Sequence, residues 1–268
     1  LKQPKTKLVG HNKALFHCVL FFLAITSSFS FAQTKEFIIG VEDIDYYPLY
    51  DFSSNNFERE SFTRELLSTF FRSHGYKFKF VALPIKRFDK WYEEDGIDFK
   101  YPDSPRWRKR ITKKLDLTFS QPVLQLTAGS YVLKKNQNIS RQSVKRLGIM
   151  FGFFPTLWYD KLQNGTLEKF EAHSSLSLVK HLLRGNVDVI DTDNNVINYN
   201  LKKLHINEDE IVLNQQIKHV RYAHYFSTIK HLKIMQEFDD FMVNQTELVA
   251  NIKKKYNIVE ASEPPTSQ

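Results

Sequence analysis

The chain has 268 residues, 42% of them hydrophobic and 25% charged, a balance that excludes a disordered or fibrous protein. That length allows one large domain or two small ones with a substantial core. The 38 basic residues outnumber the 30 acidic ones, giving a formal charge of +8, so nucleic-acid binding has to be weighed against where the charges sit.

Part of the excess lies at the N-terminus. Lys2, Lys5, Lys7 and Lys13 precede the apolar run Ala14 to Ile25, and Ser30 and Ala32 then stand in small-x-small positions. A basic region, a short apolar region and a small-residue end predict a secretory signal peptide over 1–32, cleaved near Ala32. The apolar run is shorter than the ~20 residues of a membrane span. Removing the four lysines leaves 34 basic against 30 acidic residues, a charge of +4, and removes Cys18, the only cysteine. The mature product is therefore expected to be exported to the periplasm, without disulfides or cysteine-bound metal.

Phe37 to Val41 reads as a buried parallel strand emptying into the acidic, aromatic loop Glu42 to Tyr50. Ser61 to Ser73 carries Phe62, Leu66, Leu67, Phe70 and Phe71 at helical spacing, with His74-Gly75 as the stop. A strand follows over Lys77 to Leu83, then a helix from about Arg87 to Glu94, then Gly96 and the short strand Ile97 to Phe99. The strongly basic loop after it ends in Leu117 to Pro122, the entry to another extended segment. Ser130 to Leu133 is a strand, Lys134 to Arg146 a polar linker, and Leu147 to Gly152 restarts a strand-then-loop pattern. A helix over Thr156 to Leu162, a second helix-Gly-x-x-Asp-strand unit from Ser177 to Ile190, and an exit through Asp191 to Asn195 come next. His219 to Ser227 reads as extended, Leu232 to Met242 and Thr246 to Tyr256 as amphipathic helices, and Glu260 to Gln268 as a polar tail.

The order of Tyr47-Pro48, Pro84-x-x-Arg87, Gly96-x-Asp98, Phe119-Ser120-x-Pro122, Leu147-Gly148-Ile149 to Gly152, and Gly185-x-x-Asp188 followed by Asp193 resembles type 2 periplasmic solute-binding proteins. The branch is that of polar amino-acid binding, and the likeness covers about Glu36 to Ile258. It implies an α/β protein of two lobes, each a mixed sheet flanked by helices, joined by two crossing strands and closing on a ligand. Lobe one is expected over 33–127 and 226–260, lobe two over 128–225, with a flexible tail over 261–268.

The resemblance also implies an Arg, on the loop after the first Gly-x-Asp strand, that grips a carboxylate. A guanidinium's planar fork matches the two carboxylate oxygens. The family's Thr-x-x-Arg is absent here; Arg106, Arg108 and Arg110 stand in that region, and any or none of them takes the role. Asp193 matches the acid that takes the ammonium, with Asp191 as the fallback. The segment Phe153 to Thr156 matches a helix start offering backbone N–H groups. Tyr46, Tyr47, Tyr101, Trp107 and Trp158 complete the candidate aromatic wall, and Arg87 the candidate cations, each also readable as core or surface.

The chain has no Gly-x-Ser-x-Gly elbow, no P-loop, no Rossmann fingerprint and no His-x-x-x-His pair, so neither cofactor nor metal is expected. The basic run Arg106 to Lys114 reads as a solvated loop or an anion clamp rather than a nucleic-acid site, because the rest of the mature chain is near charge balance. The expected function is non-enzymatic: a monomeric binding protein serving a small polar, amino-acid-like or anionic solute to an inner-membrane ABC permease. The alternatives are a dehydratase-like periplasmic enzyme, using Glu42, Asp43 or Asp45, or the ligand-sensing partner of a separate receptor.

Overall fold

The computed structural model describes residue 2 and residues 35–108 and 115–262. Arg110, the expected signal peptide and the end of the tail lie outside the described residues.

The first half of the chain opens with β1 (Glu36–Glu42), the hairpin β2 (Asp45–Tyr46) and β3 (Tyr50–Asp51), then α1 (Phe62–Ser73). Ser61 caps α1 by accepting from the Arg64 N–H, and Phe62, Leu66, Leu67, Phe70 and Phe71 are buried at the period that predicted the helix. Gly75, at φ +70°, ends it. Next come β4 (Lys77–Leu83), α2 (Phe88–Glu93) and β5 (Phe99–Asp103). β1 runs parallel to β4 from Glu36 opposite Lys77 to Glu42 opposite Leu83, and parallel to β5 on its other edge. Glu42 and Asp103 thereby emerge together at the carboxyl ends of neighbouring strands, where open α/β sheets bind ligands.

The chain then passes through β6 (Thr118–Phe119) into β7 (Leu124–Leu133), which begins six residues earlier than the strand expected at Ser130. The second half contains β8 (Arg146–Met150), α3 (Tyr159–Gln163), β9 (Glu168–Ala172), α4 (Ser175–Leu183) and β10 (Val189–Asp193). Strand β8 is parallel to both β9 and β10. The exit read over Asp191 to Asn195 divides between the end of β10 and the start of helix α5 (Asn194–Lys203), followed by β11 (Ile211–Leu213), β12 (Val220–Thr228), α6 (Leu232–Asn244) and α7 (Thr246–Lys255). Asn-rich sequence has weak helix propensity. Here the Asp193 cap and burial of Val196, Ile197 and Leu201 override it.

Strand β12 belongs to both halves. Val220 to His224 pair antiparallel with β7, whereas Tyr225 to Thr228 pair with β5 and β6 after a register shift. The strand order β4-β1-β5-β12-β7-β10-β8-β9 therefore joins two parallel-stranded lobes through the antiparallel pair β7 and β12. Phe99 and Phe226 stack at 4.8 Å between β5 and β12, fixing the crossing to the first lobe. A separate apolar cluster in the second lobe centres on Trp158, Leu147, Ile149 and Val189.

Candidate functional site

A cavity of about 720 Å³ lies where the two lobes face each other. Its first-lobe wall carries Glu42 at the end of β1, Tyr46 and Tyr50 from the hairpin, and Lys100 and Asp103 from β5. Arg106 and Trp107 follow on the 3-10 turn Pro105–Arg108. Tyr222 and His224 of the crossing strand β12 line the cavity between the lobes. The second-lobe wall is Gly152 to Leu157, after β8, with Asp191 and Thr192 of β10.

Two opposite charges in this cavity have no hydrogen bond or ion pair within reach among the described residues: the Arg106 guanidinium and the Asp191 carboxyl. Burial pushes Asp191 up to about 7, with Arg106 pulling the other way. Burial also lowers the affinity of Arg106 for its proton, and Asp191 opposes that. Each is the other's main electrostatic partner, yet neither neutralises the other by contact. A solute carrying both a carboxylate and an ammonium would supply what each lacks.

The first-lobe floor is already internally paired. Tyr50 donates to Glu42 Oε2 at 2.7 Å, and burial raises the Glu42 carboxyl above its ordinary range. Lys100 donates to Asp103 Oδ1 at 3.3 Å and sits over the Phe88 and Trp107 rings. Asp103 also accepts from the Ser104 N–H and from Ser227 Oγ, at 2.8 and 2.7 Å. His224 is 2% exposed and its Nδ1 has no hydrogen-bond partner among the described residues. Burial, aided by Lys100, pushes that imidazole down to about 3, so it is neutral at any physiological pH.

The two walls touch at the cavity edge. Tyr46 Oη and Thr192 Oγ1 are 3.1 Å apart, and the Tyr46 and Phe153 rings lie at 5.3 Å. Outside the cavity, Arg59 donates to Tyr199 Oη of α5 at 2.5 Å and to buried Asp51 at 3.2 Å.

Of the residues singled out from sequence, Tyr46, Arg106, Trp107, Phe153 and Thr156 line the cavity. Asp193 does not: its Oδ1 accepts from the backbone and side-chain N–H groups of Asn195, both at 2.8 Å, and caps α5. Tyr47 packs instead on Tyr199, at 4.3 Å, beneath the Arg59 guanidinium. Tyr101 is fully buried in the main core, and Trp158 is buried with its Nε1 donating to Ser130 Oγ at 3.1 Å. Arg87 is exposed, while its neighbours Ile85 and Lys86 face the cavity. Lys100, Asp103, Tyr222 and His224 also line the wall; Lys100 and Asp103 lie three residues apart, a spacing that regular strand alternation would put on opposite faces, so the pattern gives no signal for them.

No protein-family model and no curated protein matches the sequence. Solved structures do share its architecture. The arginine-, lysine-, histidine-binding protein ArtJ from Geobacillus stearothermophilus superimposes with a TM-score of 0.64 at 16% identity, over 85% of this chain and 97% of that one. The ancestral amino acid-binding protein AncCDT-1, a precursor of cyclohexadienyl dehydratase, gives 0.61 at 15% identity, over 82% and 95%. A histidine kinase sensor domain with similarity to periplasmic binding proteins gives 0.64 at 12% identity, over 85% and 98%. The chain therefore has the two-lobe fold of type 2 periplasmic binding proteins.

Proposed function

We propose that this protein is an exported solute-binding protein that holds a small zwitterionic, amino-acid-like solute between its lobes and delivers it to an ABC-type permease. The observation that carries this reading is the pair Arg106 and Asp191, groups of opposite charge type facing one cavity with no hydrogen bond or ion pair among the described residues. The guanidinium fork would receive the carboxylate in two parallel hydrogen bonds, and Asp191 the ammonium. Because free Asp191 keeps its proton up to about 7, binding of an ammonium near neutral pH would expel that proton. The affinity should therefore rise as pH climbs through 7. The lobes are taken as 33–127 with 226–260, and 128–225. A solute touching both favours the closed arrangement by its differential affinity.

Export rests on the signal-like N-terminus, and no helix among the described residues is long and apolar enough to cross a membrane. A second reading, an enzyme, draws on the same Asp191: a carboxyl near 7 suits general acid or base work. Thermal unfolding against a panel of amino acids, with recovery of the solute by mass spectrometry, separates the two. Stabilisation with the solute returned intact supports binding. Converted solute supports the enzyme, and no shift with any zwitterion removes the proposal.

A further inference from the structure

The cavity is larger than the proposed head-group recognition requires. At a water's share of ~30 Å³ per non-hydrogen atom, an amino acid of about ten such atoms fills at most ~300 Å³. More than half of 720 Å³ would remain. Beside the charged floor of Glu42, Lys100 and Asp103, part of the remaining wall is aromatic and apolar. Trp107 is 40% exposed and Phe154 54% exposed, although both line the cavity, and Ile85, Pro155 and Leu157 line it as well. Large apolar side chains left this open at a cavity are surface that an apolar ligand group would cover. The floor also has donor capacity beyond what a single zwitterionic head consumes: Lys100 spends one of its three protons on Asp103 among the described residues. A peptide carbonyl is the simplest neutral feature that would meet it.

From the excess volume, the exposed aromatics and the unspent donor capacity together, we infer that the solute is of dipeptide size and carries an aromatic side chain. Its charged ends meet Arg106 and Asp191, and its ring packs on the aromatic wall that contains Trp107 and Phe154. This rests on the solute-binding reading above and specifies its ligand class.

Isothermal titration of the mature protein with alanine, phenylalanine, Ala-Ala and Ala-Phe tests it. Covering an aromatic ring should make Ala-Phe bind roughly 10- to 100-fold more tightly than Ala-Ala. Ala-Phe should also outbind free phenylalanine. In the double variant Trp107→Ala, Phe154→Ala, the preference for Ala-Phe over Ala-Ala, read as the ratio of the two affinities, should vanish. Both side chains are exposed enough for the variant to fold, which circular dichroism and an unchanged urea midpoint would verify. The inference is overturned if alanine or phenylalanine binds as tightly as Ala-Phe, or if the double variant retains the preference. Tight binding of single amino acids with dipeptides excluded defeats the size class and leaves the solute-binding reading standing. Failure of all four probes to bind counts against both.

Discussion

Substitution of Asp191 by Asn removes the charge while keeping the shape, and its effect on stability can be worked from the site. A carboxyl that ordinarily titrates at 3.8 is pushed up to about 7 by burial. Between those values the folded chain holds a proton that the unfolded chain has released. Stability therefore falls as pH rises through that window, and the full penalty is present above 7. At 1.36 kcal/mol per tenfold change the span is worth ~4 kcal/mol, and screening by water in an open cavity reduces it to roughly 1–2 kcal/mol. Asp191→Asn should accordingly raise Tm by roughly 2–8 °C at pH 8 and by almost nothing at pH 4. The same change should abolish stabilisation by the solute, since binding sites trade stability for function. Thermal unfolding of both proteins at pH 4, 6 and 8, with and without solute, reads all of this. A variant less stable than the wild type at pH 8, or offset equally at every pH, refutes the reasoning.

Other substitutions probe the frame around the site. A Cβ on Gly148 would come within 2.9–3.3 Å of Leu178, Ile190 and Val187, so Gly148→Ala should cost ~1–3 kcal/mol by forcing α4 off β8, measurable by urea unfolding. Arg59→Ala strips buried Asp51 of its cation and breaks the bond to Tyr199, so it should cost roughly 2 kcal/mol; an unchanged midpoint contradicts that. His224, pushed down to about 3, should show no imidazole titration by NMR between pH 8 and 4.5. Because its folded value lies below the unfolded one, its contribution to stability is present above 6.5 and is lost as pH falls toward 3. A titration near 6.5 would mean that the residue is solvated.

Most of the fold was legible in the sequence because local patterns and tertiary burial agree. The apolar run of β1, the periodicity of α1 and the two Gly-led strand units each point to the element found. Disagreement marks where partners are distant. The Asn-rich stretch after Asp193 carries no strong helix signal, since Asn favours turns, and the Asp193 cap with packing of Val196, Ile197 and Leu201 makes it a helix. That helix decides the site. Asp191 and Asp193 stand two residues apart with the same chemistry, and Asn195 consumes one as a cap while the other faces the cavity. Trp107 and Trp158 divide similarly, since Ser130, remote in sequence, anchors Trp158 in the core. Arg87 and Lys86 exchange roles by one position on a single short turn, a distinction finer than any sequence period resolves.

The most direct measurement is isothermal titration of the best solute from the thermal panel into wild type, Arg106→Ala and Asp191→Asn. Loss of either charged partner should weaken binding by about 30- to 1,000-fold, the usual cost of truncating one member of a desolvated charged contact. Affinities within threefold of wild type in both variants would show that the solute, wherever it binds, is not held by this pair.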